Sequence, residues 1–237
     1  VSKYDLAAIK MEVERTTPPE KGFLEEVREI CNKKNIILIF DECTSGFRET
    51  YGGIHKKYNI YPDIAIFGKA LGNGYAITSV IGKKSIMEAA QSTFISSTFW
   101  TERIGPTAAL KTLEIMGREK SWEKITAKGN KLRKIWLELA EKNNLEIEIF
   151  GIKALSGFAF KKNNREYKTL ITQEMLKKGF LASTSCYLST SHNSNILDSY
   201  ANSLDEVFQL ISKCENGDDV NKFIKYPLCH LGFERLN

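Results

Sequence analysis

Ile36-Ile37-Leu38-Ile39-Phe40-Asp41-Glu42 and, further on, Ile64-Ala65-Ile66-Phe67-Gly68-Lys69 are built alike: an unbroken apolar run that stops at a charge. Apolar runs without alternation predict strands buried on both faces of a parallel sheet, and ligands of such sheets collect outside the carboxyl ends of the strands. Asp41 and Lys69 are therefore expected to face one crevice.

Working outward, Leu6 to Met11 reads as a strand with Glu12-Val13-Glu14 at its end. Thr17 and Glu20 stand at capping-box spacing, Pro18 suits a first helical position, and Phe23, Leu24, Val27, Ile30 and Cys31 recur at helical spacing. A short helix is expected near His55-Lys56-Lys57-Tyr58. Strand, helix, strand, helix, strand is the order of a parallel α/β sheet. After Lys69, Gly72-Asn73-Gly74 demands a tight turn with positive φ, and Ile77 to Ile81 reads as a further strand. Ser85 to Gln91 is expected as a helical turn or two, Phe94 to Thr98 as a loop, and Glu102 to Met116 as a helix stopped by Gly117.

From about Ser121 the pattern changes. Trp122, Ile125, Leu132, Ile135, Trp136 and Leu139 mark a long amphipathic helix. Alternating Leu145, Ile147 and Ile149, then Leu155 to Phe160, then a helix through Leu170, Ile171 and Met175 to Gly179, predict a small α+β unit with an antiparallel sheet. Ser203 and Glu206 form a second capping-box pair, expected to open a last helix. The domain organisation so read is 1–120 for the sheet domain and 121–237 for the small α+β domain.

Composition excludes several functions. The net charge of +5 comes from lysines spread along the chain, with no dense basic block interleaved with aromatics, so no nucleic acid partner is expected. No apolar run approaches the roughly 20 residues of a membrane span, and Val1-Ser2-Lys3-Tyr4-Asp5 carries no signal-peptide pattern, so the expectation is a cytoplasmic protein. The five cysteines, Cys31, Cys43, Cys186, Cys214 and Cys229, are scattered and odd in number, which suggests neither a disulfide framework nor a zinc cluster. His55, His192 and His230 are isolated, so no metal is expected. Gly82-Lys83-Lys84-Ser85 lacks the spacing of a nucleotide phosphate loop.

Asp41-Glu42-Cys43-Thr44-Ser45-Gly46-Phe47-Arg48, then Pro62-Asp63, then Gly68-Lys69-Ala70-Leu71-Gly72-Asn73-Gly74, resemble in order the signature of the class III pyridoxal-phosphate aminotransferases, in particular the glutamate-1-semialdehyde aminomutase branch. The resemblance runs from about Leu6 to about Met116, with a weaker echo to about Ser212. It implies α/β architecture: the C-terminal part of the large domain of a fold type I pyridoxal-phosphate-dependent transferase, mainly a parallel sheet, followed by the small domain. Carried over by position, Asp41 binds the protonated pyridine nitrogen and Lys69 holds the cofactor, pyridoxal 5'-phosphate, as a Schiff base. Ser96-Ser97-Thr98-Phe99 resembles the segment whose threonine reaches the cofactor phosphate of the neighbouring subunit; this selects Thr98, with Thr101 as fallback, and implies a homodimer. Arg48 is expected to brace its loop, the other reading being a substrate carboxylate, and Glu12 matches a structural strand-end acid.

These residue types suit that chemistry. A carboxylate aimed at the ring nitrogen favours its protonated form, and the protonated ring delocalises the negative charge left by a departing α-proton. A lysine amine, once neutral, can carry that proton. Alone, Asp41 reads as a turn acid, Lys69 as a solvated lysine and Thr98 as a helix cap; the ordered combination overrides those readings. The family's phosphate-binding loop and ring-stacking aromatic precede the first residue seen here. The expectation is therefore the C-terminal portion of a longer enzyme, with an apolar edge and face uncovered, prone to association and weak in cofactor affinity. Three functions follow: amino transfer between an amino donor and an oxo acid, aldehyde or keto sugar; intramolecular amino transfer, as in an aminomutase; or a non-catalytic interaction module. Tyr187, Ser189, Ser191, His192 and Asn193 are candidates for the lining of an entrance.

Overall fold

A computed structural model of the chain describes residues 5–230. The signal-peptide reading at residues 1–4 and the end of the small domain at 231–237 lie outside the described residues. The chain divides into two compact units, Val1–Lys124 and Ile125–Asn237.

The first unit is a four-stranded sheet in the order β1 (Ala8–Met11), β2 (Ile37–Asp41), β3 (Ile64–Phe67), β4 (Ser79–Gly82). The first three strands are parallel, and β4 runs antiparallel to β3. Asp63 locks this arrangement. Its Oδ2 accepts from the Leu38 amide at 2.8 Å and from Arg28 Nη1 at 2.9 Å, while Oδ1 pairs with Lys83 at 2.7 Å. One carboxylate at the start of β3 thereby ties β2, the residue after β4 and the helix α1 (Phe23–Lys34). Burial alone would raise its pKa, but these hydrogen bonds outweigh burial and hold it below the usual range.

The helix starts later than the capping-box spacing suggests. Pro18 precedes Pro19 and is pushed out of helical conformation, and Gly22, at φ 86, becomes the N-cap. At the other end Asn35 adopts φ 53, and its N–H bonds Cys31 O. A second correction concerns Gly117, which lies inside α3 (Ile104–Glu119); the helix ends at Lys120, in left-handed conformation with its N–H on Met116 O. The turn expected at Gly72-Asn73-Gly74 is present, with φ 47 at Asn73 and 105 at Gly74. Between β4 and α3 come α2 (Lys84–Met87) and a 3-10 turn, Glu88–Ser92.

The two faces of this sheet differ. Leu38, Phe40, Ala65 and Phe67 are buried, whereas Ile37, Ile39, Ile64 and Ile66 are half-buried. Burial on both faces, expected from the unbroken apolar runs, is realised on one.

In the second unit an antiparallel sheet of β5 (Ile147–Phe150), β6 (Leu155–Phe160) and β7 (Ser185–Tyr187) packs with α4 (Ser121–Lys142), α5 (Asn164–Lys177) and α6 (Ser194–Glu215). Trp136, Phe158, Tyr167, Leu170 and Phe208 centre the core, and the Trp136 indole N–H donates to Tyr200 Oη at 2.9 Å. Gly129 lets α4 approach closely: a Cβ there would lie 2.0 Å from Lys153 O. The last helix opens well before Ser203. Asn193 caps it by accepting the Ile196 N–H at 3.0 Å, and Leu197 and Tyr200 extend its buried stripe towards the N-terminus.

Candidate active site

Asp41 is the last residue of β2, paired in register with Ile66. The next amide, Glu42 N–H, donates to Ile66 O at 2.8 Å, so the pairing with β3 persists to the point where both chains turn away. Beyond Phe67, Gly68 is extended, and a Cβ on it would stand 3.4 Å from Cys43 Sγ. Lys69 then takes φ 44. Left-handed backbone at a non-glycine residue costs about 1–2 kcal/mol, and such strain concentrates at functional positions. The Lys69 ammonium donates to Thr44 Oγ1 at 2.7 Å, and the Thr44 side chain is buried in the turn that follows Asp41.

The two acids of the Asp41-Glu42 pair have opposite environments. Asp41 retains 23% of its side-chain exposure; Oδ2 pairs with Lys10 at 2.9 Å, and Oδ1 accepts the Cys43 amide at 3.1 Å. The Lys10 hydrogen bond, with help from Cys43, holds its pKa below the ordinary value against the opposing effect of burial. Glu42 has no exposure at all. Its Oε2 accepts from Ser45 Oγ at 2.6 Å and Ile54 N at 2.9 Å, and its Oε1 from His55 N at 3.0 Å and His55 Nδ1 at 2.8 Å. Burial pushes its pKa up, but the donors from His55, Ser45 and Ile54 prevail, and the group stays anionic. Glu42 thus folds the turn that presents Asp41 and Thr44. Gly46 allows that turn to close, since a Cβ there would meet Glu42 O at 2.6 Å. Cys43 sits between Asp41 and Lys69; burial and the Asp41 hydrogen bond raise its thiol pKa and keep it protonated.

The structure therefore brings Asp41 and Lys69 to neighbouring strand ends, joined through Cys43 and Thr44. Thr98 is placed differently: it lies in an exposed turn before α3, and among the described residues no hydrogen bond joins it to Asp41, Lys69 or Thr44. Phe94, Phe99 and Trp100 around it are 95%, 74% and 65% exposed. Glu12 is exposed and pairs with Arg15; the engaged acid after β1 is Glu14, which accepts from Tyr58 Oη at 2.6 Å and Lys57 at 3.2 Å. Arg48 is half-buried. Ser189 and His192 bond each other at 2.9 Å in the turn before α6. Sequence reasoning missed Lys10, Thr44 and the Glu42–His55 pair. Lys10 left a signal, a lysine interrupting the strand Ala8-Ile9-Lys10-Met11. Among the described residues no cluster of three or more metal-ligating side chains occurs, and no helix is long and apolar enough to cross a membrane.

Comparison with known proteins places this geometry. The chain is 39% identical over 157 residues to a 3-aminobutyryl-CoA aminotransferase of Cloacimonas acidaminovorans, a match covering 65% of this chain and 38% of that protein. It is 29% identical over 206 residues to a glutamate-1-semialdehyde 2,1-aminomutase of Methanosphaera stadtmanae, covering 79% of this chain and 48% of the other. The chain spans about half the length of these curated relatives or less. Among solved structures, the pyridoxal-phosphate internal aldimine form of the FumI protein of Sphingopyxis sp. MTA144 superposes with a TM-score of 0.84 at 21% identity, over 92% of this chain and 55% of that one. An omega-transaminase from Sphaerobacter thermophilus gives 0.77 at 19%, over 85% and 51%. The fold is accordingly part of the fold type I architecture of pyridoxal-phosphate-dependent transaminases. The class-III aminotransferase family model matches residues 14–213, a span that contains Asp41, Lys69 and the turn between them, and the chain belongs to that family.

Proposed function

We propose that this chain carries the cofactor-anchoring half of a pyridoxal-phosphate-dependent enzyme that moves an amino group from an amino donor to a carbonyl acceptor. The observation that carries this reading is the pairing at the strand ends: a strained, accessible Lys69 with its amine on Thr44, beside an ionised Asp41. The donor set fits the cofactor. Asp41 offers an anionic oxygen to a cationic ring nitrogen, and Lys69 offers a primary amine as the point of attachment. When bound, pyridoxal phosphate supplies an electron sink for the charge left at a carbon that loses its proton.

The chain's own residues would do the rest. Asp41 keeps the proton at the ring nitrogen by staying ionised itself. Thr44 Oγ1 accepts a hydrogen bond from the ammonium and can donate one to the free amine, so Lys69 Nζ keeps its place in either state. Thr98 would contact the cofactor phosphate of a neighbouring subunit, which makes a homodimer part of the proposal. The units Val1–Lys124 and Ile125–Asn237 are read as the C-terminal part of the cofactor-binding domain and the small domain. Five free cysteines accord with a reducing, cytoplasmic compartment.

The match to an aminomutase over 206 residues favours a second reading, amino transfer within one substrate. A requirement for a separate carbonyl acceptor distinguishes the two. The anchoring role is tested by adding pyridoxal phosphate, reducing with borohydride and mapping the labelled peptide in wild type and Lys69→Ala. Label confined to Lys69 and lost in the variant is expected; label spread over surface lysines in both proteins overturns the reading.

A further inference from the structure

In β1 the register sets Lys10 opposite Ile39, on the face where Asp41 follows two residues later along β2. An apolar side chain there would continue the row of Ile37, Ile39, Ile64 and Ile66. A lysine instead carries its ammonium to 2.9 Å from Asp41 Oδ2, and its side chain is 57% exposed. The other carboxylate oxygen already accepts the Cys43 amide. Oδ2 is thus the oxygen left for an incoming cationic nitrogen, and Lys10 is already on it.

We propose that Lys10 is a positioning residue for the cofactor: its ammonium holds the Asp41 carboxylate and shares it with the ring nitrogen, so that Lys10 and Asp41 together set how firmly that nitrogen is held. The proposal rests on the role given to Asp41 above. Its physical content is a competition. A cation beside the carboxylate stabilises the arrangement with charge on Asp41 and proton on the ring, but it also weakens the pull of Asp41 on that ring. The charged and titratable groups facing the pair are Glu12 and Cys43, with Lys69 acting on Cys43 from the next strand end.

The test is a double-mutant cycle on equilibrium binding of pyridoxal phosphate by the whole chain: wild type, Lys10→Met, Asp41→Asn and the double variant. Beside it, carbon-detected NMR follows the titration of the Asp41 carboxyl without cofactor. Lys10→Met is expected to move the Asp41 midpoint upward, and Lys10→Arg to restore it. Relative to its effect in the Asp41→Asn background, Lys10→Met should tighten cofactor binding about two- to fivefold, the span of a partly exposed ion pair. Identical Asp41 titrations with and without Lys10 overturn the proposal. So does an affinity change of equal size in both backgrounds, which would make Lys10 a general attractor for the phosphate. If Asp41 shifts but no variant binds cofactor, the role of Asp41 itself fails and the pair is structural only. Lys10→Gln serves as the neutral variant should Lys10→Met fold poorly.

Discussion

The two units stabilise their sheets by different means. After Ile125, helices close over β5, β6 and β7, and Trp136, Phe158, Tyr167 and Phe208 are all within 1% of full burial. In the first unit only one face of the sheet is closed in this way; the isoleucines of the other are half-buried, and Val80, beside Ile66 on β4, remains 51% exposed. What the first unit has instead is buried carboxylates with both oxygens bonded, Glu42 under the site and Asp63 at the base of the strands. The contrast teaches that the small unit is specified by packing, while the unit that presents Asp41 and Lys69 is specified by polar satisfaction close to those two residues.

The largest effect that sharpens this contrast is a cavity in the second unit. Trp136→Ala removes a fully buried indole and its hydrogen bond to Tyr200, and should cost about 3–5 kcal/mol. Site-resolved hydrogen exchange should show protection lost in α4 and α6 and kept in β2 and β3. Equal losses in both units would mean that they unfold as one, and the contrast would collapse.

Next comes Glu42→Gln. The amide group cannot accept from every donor now on the carboxylate, so one buried donor faces another, at a cost of about 3 kcal/mol. Here exchange should rise in the turn 42–55 and along β2, with α6 unaffected. The same carboxylate sets a pH dependence. Its folded-state pKa lies below the unfolded value of about 4.3. Its contribution is therefore complete above that value and is lost as pH falls through the folded-state value, and Asp63 has the same sign. The second unit also holds depressed carboxylates, Asp205 and Glu174, but their lysine partners Lys142 and Lys177 are 60% and 49% exposed, so solvent weakens those pairs. Acid should accordingly loosen the first unit first, and in Glu42→Gln that step should shrink. Simultaneous loss of both units on acidification would count against the assignment.

Strand placement was legible in the sequence because apolar runs ending in a charge have few other readings, and the Asp41–Lys69 juxtaposition followed from it. The partners of those residues were not legible. The bond from Lys69 to Thr44 depends on a left-handed backbone at Lys69, and the pair of Lys10 with Asp41 depends on the register between two strands; neither leaves a local pattern. Helix starts misled for a related reason. Thr17 with Glu20 and Ser203 with Glu206 both satisfy the capping spacing, but Pro19 and Gly22 delay one helix, and Asn193 has already capped the other ten residues upstream. Spacing identifies a possible cap, and the backbone decides which is used.

The smallest effect is the most informative about the open face. Leu38 and Ile39 are adjacent on β2 and point to opposite sides of the sheet. Leu38→Ala empties a fully buried site and should cost about 2–5 kcal/mol, whereas Ile39→Ala, already half in water, should cost about 1 kcal/mol. Denaturation of both variants over a range of protein concentrations measures the difference directly. A cost at Ile39 that stays small at every concentration means the face is as open in solution as its exposure indicates. A cost that climbs towards that of Leu38 as concentration rises means that association buries it, because a side chain gains the full transfer free energy only when its last contact with water is removed. Since Lys10 and Asp41 lie on that same face, such a rise would also mean that association takes their ion pair out of water and strengthens it.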